Sequence, residues 1–260
     1  MSGSSAKPEI HQFPCLKDNY GVLIRDPSTG VVAAIDAPNG DEVAAALKAK
    51  GWKLTHILTT HRHGDHTDGN LPLKAATGCT IIGPKGEADL VPGIDKAVGE
   101  GDTFMLGSLE VRVFDTPGHT KGHITYWIPS AEIAFAGDTL FAMGCGRVFE
   151  GNMEQMWKSL AKLAKLPPQT VVYCGHEYTQ ANAKFSLTIE PENDALQARV
   201  REVDAKRARG ETTLPTRIDI ELATNPFLRP QSPAIRKRFG LETAPDWQVF
   251  AEVRERKNKA

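Results

Sequence analysis

The sequence predicts an α/β fold in which sheet packs on sheet with helices outside, followed by a smaller, mainly helical C-terminal domain. Three observations predict it. Eight short apolar runs rich in β-branched residues end in polar or glycine-containing loops. Two stretches of helical periodicity are interleaved with these runs, and beyond residue 177 the strand signals give way to helical ones.

In chain order, "YGVLIRD" and "VVAAIDAP" read as strands, and "GDEVAAALKAKG" as a helix stopped by Gly51. The strands "THILTTH", "CTIIGP", "LEVRVFDTPGH", "HITYWIP" and "EIAFAGD" follow. The helix "NMEQMWKSLAKLAKLPP" has its stop signal at Pro167, and "TVVYCGH" is the last strand. After it, "DALQARVREVDAKRARG" is the clearest amphipathic helix. The Pro-rich "TTLPTRIDIELATNPFLRPQSP" suits a long ordered loop or a packed extended segment. Residues 1–177 and 178–260 are the expected domains.

A chain of 260 residues with 40% hydrophobic and 24% charged residues can bury a sizeable core, which excludes a disordered chain. Lys and Arg number 31 against 32 Asp and Glu, so nothing points to nucleic acid. Basic runs at Arg199–Arg209 and Arg236–Lys259 read as solvated helix faces. Cys15, Cys79, Cys145 and Cys174 form no C-x-x-C pair and fit a reducing compartment. The start "MSGSSAKPEI" has no apolar core, and no window approaches the ~18 apolar residues of a membrane span. A cytoplasmic monomer without a membrane partner is expected.

The chemistry concentrates in "THRHGDH", residues 60–66. His61 and His63 sit two apart, so an extended loop turns both toward one cation. Asp65 and His66 must then face elsewhere, and an adjacent second ion is the economical answer, because one cation takes about four ligands. Three later strand ends supply more donors: His119 in "TPGHT", Asp138 in "AFAGDT" and His176 in "YCGHEY". Five His and two Asp make a set for two metal ions, with Asp138 the candidate bridge. Asp36 in "AIDAP" and Asp68 in "HTDGN" are candidates to orient the imidazoles from behind. His11, His56 and His123 are read as structural.

The T-H-x-H-x-D-H motif with downstream His, Asp and His resembles the metallo-β-lactamase superfamily, which implies an αββα sandwich. Within it, "TPGHTKGHI", "AGDTLFAMGCGRVFEG", "YCGHEYT" and "NPFLR" are similar to the glyoxalase II, or hydroxyacylglutathione hydrolase, family over nearly the whole chain. The resemblance implies that His61, His63 and His119 bind one metal, Asp65, His66 and His176 the other, and that Asp138 bridges them. It implies hydrolysis of S-2-hydroxyacylglutathione, chiefly S-D-lactoylglutathione, the second step of methylglyoxal detoxification. A hydroxide between the metals attacks the thioester carbonyl, with Asp65 and Asp138 as catalytic carboxylates. Two divalent ions are expected, zinc first, with iron and manganese also suited. For the glutathione carboxylates the resemblance points to Arg147, Tyr178 and Arg229, with Arg236 and Lys237 weaker; Phe149 stands where many relatives have Tyr, and Cys145 lines the pocket. Arg62 stands where members often have His, at a position that is not a ligand. A persulfide dioxygenase or a broader thioesterase of the superfamily is the alternative. A β-lactam hydrolase would typically put Cys at position 138, and a non-catalytic metal module would not need every ligand.

Overall fold

The computed structural model describes residues 7–260, which form two compact units: the chain up to Asp115 together with Gly122–Gly137, and Thr116–Lys121 together with Asp138–Ala260.

The first unit contains β1 (Glu9–Cys15), β2 (Asn19–Arg25), β3 (Val32–Ile35), α1 (Gly40–Lys50), β4 (His56–Leu58), α2 (Gly64–Thr67), α3 (Asn70–Thr77), β5 (Thr80–Pro84) and β6 (Lys96–Val98). Strands β1 to β6 lie in sequence order in one sheet, antiparallel from β1 to β3 and parallel from β3 to β6. Parallel strands are covered on both faces, which is why β3 reads as an unbroken apolar run and is buried throughout. Helix α1 starts where the Asn39 side chain accepts from the amides of Asp41 and Glu42, and ends at Gly51 in the left-handed region. Its Val43, Ala46 and Leu47 pack with Leu73 of α3 against Leu23, Val32, Ala34 and Ile57 of the sheet.

Four more strands complete this unit: β7 (Thr103–Leu106), β8 (Leu109–Asp115), β9 (Ile124–Ile128) and β10 (Ile133–Gly137). Each pairs antiparallel with the next. The buried hydroxyl of Tyr126 on β9 donates to the carbonyls of Thr59, at 2.8 Å, and Ile82, at 3.2 Å. One phenol thus fastens the second strand set to the end of β4 and the middle of β5 in the first sheet.

The second unit holds the hairpin β11 (Leu140–Phe141) and β12 (Gly144–Cys145), then α4 (Met153–Leu163), β13 (Val171–Cys174), α5 (Thr179–Ile189), α6 (Asp194–Ala208), β14 (Thr216–Arg217), α7 (Ile218–Thr224), α8 (Pro233–Phe239) and α9 (Asp246–Asn258). Asn152 and Gln155 form a capping box that starts α4, which ends at Leu163, before the expected Pro167 stop. Met143, Ala183, Leu196, Val200 and Val203 form one of its apolar clusters.

The segment after residue 212 departs from the expected loop or extended run, because α7 and a turn at Pro226–Leu228 interrupt it. Glu221 on α7 explains the difference. Fully buried, it accepts from Arg199, Thr216, Asn225 and the Met143 amide, so the helix forms to bring one carboxylate to four donors. Arg199 is therefore not part of a solvated face.

Candidate metal centre

The donor loop begins where β4 ends, at the carboxyl end of a parallel strand. Asp36, just past β3, has φ +57° and is buried. Its carboxylate accepts from the Thr60 amide at 2.7 Å, the Thr60 hydroxyl at 2.9 Å and His66 Nδ1 at 2.8 Å. The Thr60 hydroxyl, donating to Asp36, in turn accepts from His61 Nδ1 at 3.0 Å. Both imidazoles therefore carry their proton on Nδ1 and present Nε2 as the lone-pair face, the tautomer a metal ligand needs. His61 Nε2 and His63 Nδ1 lie 3.1 Å apart, two basic nitrogens turned to one point. Asn19 donates to the backbone and side-chain oxygens of Asp65, at 3.0 and 3.2 Å. Asp65 Oδ2 is 3.6 Å from His66 Nε2.

In the second unit, His119 Nδ1 donates to the Arg147 carbonyl at 2.9 Å, which again leaves Nε2 with its lone pair free of a proton. Asp138 Oδ2 stands 3.4 Å from Nε2 of both His119 and His176. A Cβ at Gly146 would lie 1.9 Å from the Asp138 carbonyl, so only glycine lets the chain pass behind this carboxylate. The Tyr178 ring stacks on His176 with centroids 4.7 Å apart, and the exposed Phe149 ring lies 5.3 Å from that of His119. Among the described residues, the seven side chains singled out by the motif are those whose donor atoms qualify to hold a metal ion. Imidazole and carboxylate donors fit a divalent cation.

Residues 17–176 match the family model of the metallo-β-lactamase superfamily, and residues 177–260 that of the hydroxyacylglutathione hydrolase C-terminus. A hydroxyacylglutathione hydrolase from Methylococcus capsulatus is 54% identical over 96% of this chain and 98% of its own. The chain belongs to the hydroxyacylglutathione hydrolase family. A second relative of that name, from Brucella anthropi, is 53% identical over 99% of both chains. The solved structure of ETHE1 from Myxococcus xanthus shares 27% identity at a TM-score of 0.66, covering 95% of this chain and 96% of its own. The fold is thus the metallo-β-lactamase one expected from the motif, and no described helix is long and apolar enough to cross a membrane.

Several side chains expected in the pocket of this hydroxyacylglutathione hydrolase family member are engaged elsewhere. Arg229 forks onto Glu190, with Nε to Oε2 at 2.7 Å and Nη2 to Oε1 at 3.1 Å, and donates to the Leu222 carbonyl. Its guanidinium neutralises a buried carboxylate and is not available to glutathione. Arg236 donates to the carbonyls of Leu241, Glu242 and Ala244 and to Asp246, closing the turn between α8 and α9. Asp68 is exposed at the end of α2, whereas of the two candidate carboxylates Asp36 is the one that meets an imidazole, His66. Cys145 is buried, and its carbonyl accepts from Arg254 at 2.9 Å. Arg254 and Lys257, one turn apart on α9, are the cations the sequence reading missed. Burial first, then the charges of Arg254 and Arg147, pull the Lys257 ammonium below its usual range. Those three cations share one neighbourhood. A basic helix end is too common in sequence to reveal this; the Arg254 to Cys145 contact does. His123, read as structural, stacks on His61 with centroids 4.8 Å apart and supports that candidate ring.

Proposed function

We propose that His61, His63 and His119 hold one divalent ion, that Asp65, His66 and His176 hold a second, and that Asp138 bridges the two. The chain then hydrolyses S-2-hydroxyacylglutathione, S-D-lactoylglutathione foremost, to glutathione and the 2-hydroxy acid. The observation that carries this reading is the Asp138 oxygen equidistant from His119 and His176, one imidazole from each proposed set. Zinc is the expected metal, and iron or manganese suit the same donors.

When bound, such ions polarise the thioester carbonyl and lower the pKa of water from about 15.7 to around 7, which makes hydroxide available at neutral pH. The protein supplies the rest. Asp36 and the Arg147 carbonyl fix the imidazole tautomers, and Asn19 holds Asp65 where it accepts the proton of the attacking water. Arg147, Arg254 and Lys257 bind the glutathione carboxylates, replacing Arg229 in that role. The departing thiolate needs no strong general acid. Residues 1–177 act as the catalytic domain and 178–260 as the substrate domain, in a cytoplasmic monomer whose four cysteines are buried and free. The seven-donor set and the match to the hydroxyacylglutathione hydrolase C-terminus favour this reading over a persulfide dioxygenase.

Protein purified without chelator and resupplied with metal should carry two ions per chain by elemental analysis and hydrolyse S-D-lactoylglutathione. Occupancy that never exceeds one ion would overturn the binuclear reading.

A further inference from the structure

Glu87 is a buried carboxylate outside every proposed ligand set. It lies in the short turn Lys85–Leu90 after β5 and is only 4% exposed. Oε2 accepts the Arg62 amide at 3.0 Å and Oε1 accepts the Gly122 amide at 2.8 Å. Arg62 is the residue between His61 and His63, while Gly122 follows His119 by three positions and precedes His123. A Cβ at Gly122 would stand 2.5 Å from Glu87 Cγ and 2.7 Å from the Gly86 carbonyl carbon, so glycine permits the approach. A buried carboxylate is costly unless donors compensate it, and here each oxygen has its own charge-assisted N–H bond.

We infer that Glu87 is a positioning residue for the metal loop. Alternate side chains of an extended segment share a face only while the peptide between them keeps its orientation. Glu87 fixes that peptide through the Arg62 amide, and so makes His61 Nε2 and His63 Nδ1 converge. Its second oxygen holds the Gly122 amide, next to His123, in the same unit. Arg62 contributes to the loop through its backbone, which is why a residue other than His is accommodated between the two ligands. The inference rests on the assignment of His61 and His63 to one ion.

In Glu87→Gln a single carboxamide oxygen replaces two acceptors, and the NH2 group faces one of the amides. Two readings follow, each compared with Asp26→Asn, which weakens the same unit outside this loop. In metal-free protein, hydrogen exchange of the Arg62 and Gly122 amides should accelerate at least about tenfold. In loaded protein, competition against a chromophoric chelator for zinc should show affinity lowered about tenfold or more. Asp26→Asn should leave zinc affinity at the wild-type value and accelerate the two amides less than Glu87→Gln does. Glu87→Asp, which keeps the charge but falls one methylene short, gives the same readings if the Gln variant does not fold. Wild-type exchange rates at both amides, or an affinity loss no larger than in Asp26→Asn, would overturn the proposal, and so would failure of both Glu87 variants to fold. A wild-type chain holding fewer than two ions would strike the ion assignment and leave the exchange result standing.

Discussion

Asp36 sets the protonation pattern of two imidazoles with one carboxylate, so its charge matters more than its volume. In Asp36→Asn the amide nitrogen cannot accept, and one of three donors meets another donor. Metal affinity is expected to fall about 10- to 100-fold by chelator competition. A second pair of substitutions separates packing from recognition. Arg229→Ala leaves the buried Glu190 without its guanidinium and should destabilise the fold by about 3 kcal/mol in urea unfolding, with KM for S-D-lactoylglutathione unchanged. Lys257→Ala should raise KM about tenfold or more with kcat nearly constant, since the contact is remote from the carbonyl. The donor set was legible in the sequence because only a few residue types bind cations, and seven of them at four strand ends leave little room for coincidence. Arg254 and Lys257 were not legible, because a cation on a helix is solvated or buried according to which face packs, and Arg254 is buried where it meets the Cys145 carbonyl and the Phe227 ring.

Among the elements, the parallel strands β3, β4 and β5 were readable because burial on both faces demands apolar runs, whereas the largely exposed β6 was not. Helix α7 was not, since what drives it is the four-donor shell around Glu221, two of whose members, Met143 and Arg199, are distant in sequence. Helix α3 was missed for a related reason: its start depends on close backbone approach. Gly69 precedes α3 with an ordinary φ of −80°, so conformation alone would permit alanine there. A Cβ at that position, however, would lie 2.8 Å from the Gly40 nitrogen and 2.9 Å from the Ala37 carbonyl oxygen, backbone atoms that cannot swing aside. Gly69→Ala should therefore lower unfolding free energy by about 1–3 kcal/mol, with the shift read from the urea midpoint at constant slope.

For the molecule as a whole, acid stability leans on Asp26. Burial would raise its carboxyl, but hydrogen bonds from the Ser108 amide, the Thr29 hydroxyl and the Ser28 amide outweigh that and hold it well below the usual range. A depressed folded value gives stability that is complete above the unfolded value of about 3.9 and is lost as pH falls below it. The gap in unfolding free energy between wild type and Asp26→Asn should accordingly narrow as pH drops from about 5 towards 2. At the other end of the scale stands the phenol that fastens Thr59 and Ile82. Burial, then the charge of Asp36, pushes Tyr126 far above the ordinary phenol range. The chain has four tyrosines, yet in alkaline titration followed by ultraviolet absorbance this one should stay silent until the sandwich opens. Its late, abrupt phenolate signal would serve as a built-in optical gauge, timing the parting of the sheets without any label.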